Sequence, residues 1–354
     1  METLIVRGAP EEYVCEVGAW SKLEMHLLKR KLHKVLIIHG EESWKVAKPF
    51  FPTLTSVVGI YKHYQNECRF DIADSFVKLV ANENIGGIVA VGGGKVLDLG
   101  KLIANETGIP CICLPTLAST CAAYTPVSIV YNENHEMIDF KILNQAISLT
   151  LIDPTVILNS PKDYLIAGIG DTLAKWYESD PVLSQIENPA VELTVAQFAA
   201  KSCLDNLLKN SVKAIADLEK NELSYEFIQV IETNILLAGM VGGFGDYLAR
   251  TSGAHSIHDG LTLIRETNKH LHGNKVAYGI LVQLGIEGKW DEVAKLITFY
   301  KELGLPFKYE HLDVTSKELN KVIEFSVKDE CMHLLPQEIT EEVILNAIVT
   351  LEAI

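Results

Sequence analysis

Four nearly all-apolar runs mark the first third of the chain. Residues 35–38, 57–60, 85–91 and 110–114 read Val-Leu-Ile-Ile, Val-Val-Gly-Ile, Ile-Gly-Gly-Ile-Val-Ala-Val and Pro-Cys-Ile-Cys-Leu. A strand without polar alternation is buried on both faces, as in a parallel sheet covered by helices. Between these runs, residues 21–32, 71–81 and 95–104 carry apolar positions at helical spacing. Alternating β and α segments predict a parallel, dinucleotide-type sheet. Residues 127–131 and 147–152 are expected as further strands near its edge.

The pattern changes after Pro154. Residues 164–178, 189–207, 225–240, 275–284, 291–303, 316–326 and 340–350 all read as helix, and strand-like runs nearly vanish. The predicted architecture is an α/β dinucleotide-binding domain over residues 1–157 and an all-α, metal-binding domain over 158–354. A length of 354 residues suits two cores.

Composition adds exclusions. A formal charge of −15 argues against nucleic acid or an anionic membrane as partner, since both need a basic face. A local basic pocket for an anionic small molecule is still compatible with it. The seven cysteines are scattered without a Cys-x-x-Cys pair, the usage of a reducing compartment. No basic stretch followed by an apolar one opens the chain, and no uninterrupted apolar run reaches membrane-spanning length. The expectation is a cytoplasmic protein acting on a small molecule.

Two constellations carry chemistry. In Gly92-Gly-Gly-Lys-Val-Leu-Asp98 a glycine turn joins a predicted strand to a predicted helix. Glycines admit positive φ and close approach of a ligand, and a helix start offers free N–H groups to pyrophosphate. A tight β-α turn that binds nothing fits the same residues. Glu41 follows the strand 35–38. An acid placed there accepts hydrogen bonds from ribose hydroxyls and repels a 2′-phosphate, so it predicts NAD over NADP; a solvated carboxylate is the alternative.

The second constellation is Asp171 in Ala167-Gly-Ile-Gly-Asp-Thr-Leu-Ala174, His255 and His258 in Gly253-Ala-His-Ser-Ile-His258, and His272 in Leu271-His-Gly-Asn-Lys275. One carboxylate and two imidazoles hold a divalent ion and leave a position open for substrate. Their small neighbours, Gly253, Ala254 and Gly273, are read as room for cofactor or substrate. Hydrogen-bonded core histidines are the competing explanation.

With Pro115-Thr-Leu-Ala-Ser-Thr120 and His272-Gly-Asn-Lys-Val-Ala-Tyr-Gly279, these runs resemble the glycerol dehydrogenase branch of the iron-containing (group III) alcohol dehydrogenase superfamily, whose fold is shared with dehydroquinate synthase. Within that branch, residues 120–126, 169–178 and 239–243 look most like the hydroxycarboxylate dehydrogenases, which act on 2-oxo acids. The resemblance implies an active site in a cleft between two domains, with Asp171, His255 and His272 as metal ligands. It puts Gly93, Gly94, Lys95 and Asp98 at the pyrophosphate, and Thr116, Ser119, Thr125, Val127 and Tyr131 on the nicotinamide side. Iron-dependent members add a fourth ligand one turn after the Asp, where this chain has Lys175. Three protein ligands favour Zn²⁺, with Fe²⁺ and Mn²⁺ also compatible. Homo-oligomers are usual in such families.

Cys121 stands where glycerol dehydrogenases carry an Asp that contacts the polyol. Loss of that carboxylate favours a 2-hydroxy or 2-oxo acid over glycerol. The expected activity is metal-dependent hydride transfer between NAD and such a substrate, or a polyol. Glycerol-1-phosphate dehydrogenase and a dehydroquinate synthase-like lyase are the alternatives. His258 is placed either to relay the proton, as imidazole titrates near neutrality, or to orient the site. Lys175 either binds a substrate carboxylate or pairs with Asp171.

Overall fold

The computed structural model describes residues 3–354. They divide into two compact units. One comprises Arg7–Pro161 with Lys220–Leu223, and the other the described residues up to Val6, Lys162–Glu219 and Ser224–Ile354.

In the α/β unit the strands are β1 (Tyr13–Cys15), β2 (Lys34–His39), β3 (Val58–His63), β4 (Gly87–Gly92), β5 (Cys111–Pro115), β6 (Val127–Tyr131), β7 (Met137–Ile142) and β8 (Leu149–Ile152). Six of them form one sheet in the order β1-β8-β5-β4-β2-β3, and every pairing is parallel. The apolar runs occupy its centre, as continuous burial requires. Val35, Ile37, Val89, Val91, Ile112 and Leu114 pack with Trp20, Leu23 and Leu27. The helix Gly94–Thr107 lies close to β4, where Gly100 leaves no room for a Cβ: one would lie 2.6 Å from Ala90 Cβ.

Two edge expectations are corrected. Residues 149–152 lie inside the sheet, between β5 and β1, and β1 forms one edge instead. Residues 127–131 are outside it: β6 pairs antiparallel with β7 in a separate two-stranded ribbon. The intervening Asn132-Glu-Asn-His-Glu136 is polar and turns the chain back, with Asn132 Oδ1 accepting from the Asn134 and Glu136 amides and His135 at φ 64°.

The second unit contains the helices Lys162–Leu183, Val191–Glu219, Tyr225–Glu232, Ala238–Gly245, Gly253–Thr262, His272–Ile286, Trp290–Leu303, Leu319–Ser326 and Glu341–Glu352. A π-helical turn, Thr233–Leu237, joins Tyr225–Glu232 to Ala238–Gly245. The resulting 21-residue stretch Tyr225–Gly245 contains an 18-residue window of mean hydropathy 1.5, enough by length and composition to cross a membrane. That modifies the expectation from uninterrupted apolar runs, because Glu226 and Glu232 break the run but leave the average high. More than half of the stretch is buried within the protein, where Val241 packs with Leu193, Ala196 and Ala200 of the neighbouring helix.

Candidate metal centre and dinucleotide turn

Three helices deliver Asp171, His255 and His272 to one point, and glycines explain how. A Cβ at Gly273 would lie 1.7 Å from Ala167 O, and one at Gly170 would lie 2.5 Å from Gly273 O. The backbones of Lys162–Leu183 and His272–Ile286 therefore touch beside Asp171 and His272. A Cβ at Gly279 would lie 2.2 Å from Ala254 O, so Gly253–Thr262 meets His272–Ile286 in the same way beside His255. Of the small residues expected to make room for a ligand, Gly273 and Ala254 instead meet a neighbouring helix backbone, and Gly253 is filled in by the Gln283 and Leu335 side chains.

The result is a compact trio whose candidate ligand atoms all lie within 4.8 Å of one another. Asp171 Oδ1 is 3.2 Å from His272 Nε2 and 3.5 Å from His255 Nε2. Two ligands about 2.1 Å from a shared tetrahedral ion lie about 3.4 Å apart, so these spacings fit one. Asp171 and His255 are buried, whereas the His272 side chain is 42% exposed and leaves the trio open on one side.

The opposite nitrogens are also held. His255 Nδ1 meets Glu178 Oε2 at 2.6 Å, while Glu178 Oε1 accepts the Ser252 and His255 amides at 2.7 and 2.8 Å. One carboxylate thus caps the first turn of Gly253–Thr262 and orients its histidine. His272 Nδ1 meets His258 Nε2 at 2.8 Å, and His258 Nδ1 meets Asp259 Oδ1 at 2.8 Å. The network assigns the protons. Asp259 accepts from His258 Nδ1–H, His258 Nε2 accepts from His272 Nδ1–H, and Glu178 accepts from His255 Nδ1–H. Both Nε2 atoms face Asp171; a proton on either is donated to that carboxylate, and a bound metal would take its place, the arrangement that a metal site needs.

Electrostatics agree. Burial opposes ionisation of Asp171, but the Lys175 ammonium and hydrogen bonds from both histidines hold its carboxyl well below the usual range. Burial likewise opposes charge on Glu178, and His255 reverses it. Burial lowers His255 too, but Glu178 and Asp171 outweigh that and lift it to about 9. Asp259 lies below the usual carboxylate range as well, burial being outweighed by its bond to His258. Ionised Asp171 within the trio, with Glu178 behind His255 and Asp259 behind His258, favours a cation at its centre.

Both nitrogens of His258 are hydrogen-bonded within the protein, to Asp259 and to His272, an arrangement suited to orienting the site. Burial, with His272 beside it, pushes His258 down to about 3. Lys175 lies one turn after Asp171; its Nζ donates to Arg250 O at 3.4 Å and its charge favours the Asp171 carboxylate. Lys275 is a second buried ammonium, one turn after His272. Burial lowers its pKa, and Asp259 opposes that shift.

The other predicted residues belong to the α/β unit. β4 ends at Gly92, and Gly93 caps the helix Gly94–Thr107. The positive φ expected at this turn is absent: glycines with positive φ are Gly18, Gly108, Gly288 and Gly304. Space explains the turn instead. A Cβ at Gly92 would meet Val96 at 2.8 Å, and one at Gly93 would meet Leu117 at 2.9 Å. At Gly94 the nearest atoms would be 3.6 and 3.8 Å away, so the protein itself does not require glycine there. The bare backbone at that helix start suits a close ligand. Nearby, buried Thr116 Oγ1 has no hydrogen-bond partner, a donor and acceptor that a bound molecule would satisfy. Both observations fit a dinucleotide.

Glu41 starts the helix Glu41–Ala47 just after β2, and its 71%-exposed side chain has Lys45 Nζ at 3.4 Å. β2 and β4 are neighbours, with His39 opposite Val91. From there the chain runs outward in opposite directions, β2 to β3 and β4 to β5. That is the switch point where doubly wound sheets bind ligands.

Lys95 Nζ lies 2.8 Å from Glu67 Oε2 and 4.6 Å from the centre of the Tyr131 ring. Thr125 Oγ1 donates to Cys121 O at 3.4 Å; Ser119 and Cys121 are half-buried, and Val127 is buried at the start of β6. Asp98 is not at the turn's surface. Its carboxylate is buried, 2.9 Å from Lys101 Nζ, and accepts from the Ile129 amide at 3.2 Å. Lys101 Nζ donates to the Ala122 and Thr125 carbonyls at 2.7 and 3.0 Å, and to that of Val127. Asp98 and Lys101 therefore tie the segment 122–129 to the helix that begins at the glycine turn.

Comparison with known proteins matches this arrangement. The chain is 35% identical to hydroxycarboxylate dehydrogenase A of Escherichia coli K12, over 97% of this chain and 96% of that protein. The pattern of iron-containing alcohol dehydrogenases matches residues 10–154. The chain belongs to the iron-containing alcohol dehydrogenase family. As a member it is an oxidoreductase of the dehydrogenase type. A glycerol dehydrogenase of Thermotoga maritima is 30% identical over 96% of this chain and 94% of its own length. The crystal structure of a probable glycerol dehydrogenase from Sinorhizobium meliloti superposes with a TM-score of 0.87 at 28% identity, covering 98% of this chain and 97% of that one. The two-part α/β and helical architecture is that of the family.

Glu178, Asp259 and Lys101 are functional-site residues that motif reading left unassigned. Glu178 was accessible to it: Asp171, Lys175 and Glu178 are spaced i, i+4, i+7 and share a helix face. Lys101 has Asp98 three residues away, but the three carbonyls it holds lie more than twenty residues on and leave no local signal.

Proposed function

We propose that the protein is a metal-dependent, NAD-linked dehydrogenase interconverting a small 2-hydroxy acid and its 2-oxo acid in the cytoplasm. The observation that carries this is the trio Asp171, His255 and His272, with both Nε2 atoms turned inward and both Nδ1 atoms held by acceptors. A divalent ion bound there supplies Lewis-acid polarisation of the substrate oxygen. Zn²⁺ suits an N₂O donor set with three protein ligands, and Fe²⁺ or Mn²⁺ also fits it.

The chain's own residues do the rest. Glu178 and the His258–Asp259 pair fix the ligand tautomers. Lys175 and Lys275 put two buried positive charges within a turn of the ligands, suited to a substrate carboxylate. Gly94 and Lys95 receive the pyrophosphate, Thr116 bonds the cofactor, and Glu41 accepts from the adenosine ribose. Asp98 and Lys101 hold the wall formed by Ser119, Thr125, Val127 and Tyr131. Hydride transfer then depends on nicotinamide and substrate being held in line.

The test is a screen of glycerol, other small polyols and 2-oxo acids with each cofactor and with added Zn²⁺, Fe²⁺ or Mn²⁺, following nicotinamide absorbance. NAD should exceed NADP in kcat/KM by about tenfold or more, since Glu41 repels a 2′-phosphate. An NADP preference would remove the role given to Glu41. Turnover without release of free NADH would point to a lyase instead. Cys121→Asp adds an acceptor for a polyol hydroxyl and a charge that repels carboxylates. It should move the ratio of glycerol to 2-oxo-acid turnover by about tenfold toward glycerol, the equivalent of one hydrogen bond. An unchanged ratio would leave the substrate argument without support.

A further inference from the structure

The helix Val191–Glu219 buries one face and exposes a seam on the other. Leu193, Ala196, Ala199, Ala200, Cys203, Leu204 and Leu207 are buried. Thr194, Phe198, Lys201, Asp205, Leu208 and Val212 are all exposed. Their spacing alternates four and three residues throughout, the spacing by which a helix packs along another helix. The exposed seam runs about 27 Å at 1.5 Å per residue. Phe198 is 70% exposed, Leu208 42% and Val212 41%, with Val191 at 79% beyond its start. Large apolar side chains this open, in register along a helix, mark an interaction surface.

The order of residues along the seam identifies the partner. Read from both ends toward the level of Cys203, Thr194 matches Val212, Phe198 matches Leu208, and Lys201 matches Asp205. A two-fold axis at that level, perpendicular to the helix, would set each residue against its match in an antiparallel copy. Two apolar layers would then flank a central layer of alternating charge, with Lys201 opposite Asp205 at both crossings. Within one chain Lys201 already pairs with Asp205, so the dimer would join two such pairs into one closed network. Shifting the pairing by one heptad would put Asp205 against Leu208 and Lys201 against Val212, or Lys201 against Phe198, and a shift of four residues would set like charges against each other, so the charges select this register. A surface complementary to itself by rotation is what an isologous interface requires. We propose that this helix pairs antiparallel with its equivalent in a second copy of the chain, about a two-fold axis at the level of Cys203.

Sedimentation equilibrium and cysteine cross-linking test this on the full chain. The wild type should contain an even number of chains at micromolar concentration. Phe198→Glu places a charge in the apolar layer and should raise the dissociation constant of this contact at least a hundredfold, halving the assembly. Lys201→Glu should weaken it as well, and Lys201→Glu/Asp205→Lys should restore it. All these positions are exposed, so far-UV circular dichroism should stay at wild-type values and any fall in Tm should follow dissociation, disappearing when compared at concentrations where both are dissociated. On oxidation, the double variant Phe198→Cys/Leu208→Cys should form covalent dimers, and Phe198→Cys alone should not exceed the wild type. A monomeric wild type, an assembly indifferent to Phe198→Glu, or cross-linking by Phe198→Cys alone would each overturn the proposal.

Discussion

His272→Ala should lower kcat/KM by about a thousandfold or more, while NADH binding stays within about twofold of wild type. The first part follows from what the side chain holds. His272 Nε2 is 3.2 Å from Asp171 Oδ1, and its Nδ1 is fixed by His258. Removing it leaves two protein ligands for an ion that the reading above asks to polarise the substrate oxygen. Several kcal/mol of transition-state stabilisation are lost, and each 1.36 kcal/mol is a factor of about ten. The second part follows from where the groups reside. Gly94, Lys95, Thr116 and Glu41 belong to the α/β unit, and His272 belongs to the helical one. Stability should change little, because the side chain is 42% exposed and the close contact beside it is made by Gly273. Metal content after dialysis, NADH fluorescence titration and steady-state kinetics separate these effects. A variant that keeps wild-type turnover would remove the metal trio from the mechanism.

The sequence was most informative where physics is local or periodic. The central strands are legible because burial on both faces demands uninterrupted apolar runs, and residues 35–38 and 88–91 have no alternative use. The glycine turn and the ligand trio are legible because backbone contact and metal ligation admit few residue types. What misled was environment beyond the local pattern. β6 reads like any strand, and only its antiparallel partner β7, whose alternation is weak, removes it from the parallel sheet. The resemblance puts Asp98 at the pyrophosphate, but its carboxylate turns inward to Lys101, one turn along the same helix, and to the Ile129 amide, more than thirty residues away. The small residues beside the histidines were assigned to a ligand, since sequence does not show which helix will cross them. His258 has residue chemistry that suits a proton relay and an orienting partner alike. Its two neighbours, one adjacent in the chain and one fourteen residues away, decide what its nitrogens can do.

Glu178→Gln tests that orienting logic most severely, because it changes no volume and removes one charge. The two backbone amides of Ser252 and His255 donate to Oε1. A carboxamide keeps both bonds by leaving its oxygen there, which turns its NH₂ group toward His255 Nδ1, now 2.6 Å from Oε2. Two N–H donors then face each other. The imidazole relieves the conflict by giving up its Nδ1 proton and carrying it on Nε2, the nitrogen that must stay bare to bind a metal. Loss of an orienting partner typically costs 10–100-fold in metal affinity, and this substitution also selects the wrong tautomer. The apparent metal dissociation constant should therefore rise by about a hundredfold, with part of kcat recovered at high metal concentration. Tm should change little, since the helix start at Ser252 keeps its acceptor. Glu178→Ala removes that acceptor as well and leaves buried amides unpaired, which costs about 1–3 kcal/mol each and should lower Tm by several degrees. The contrast between the two variants is the informative result. If Glu178→Gln bound metal as tightly as the wild type, the carboxylate would be a helix cap alone, and the proton assignment around the trio would be wrong.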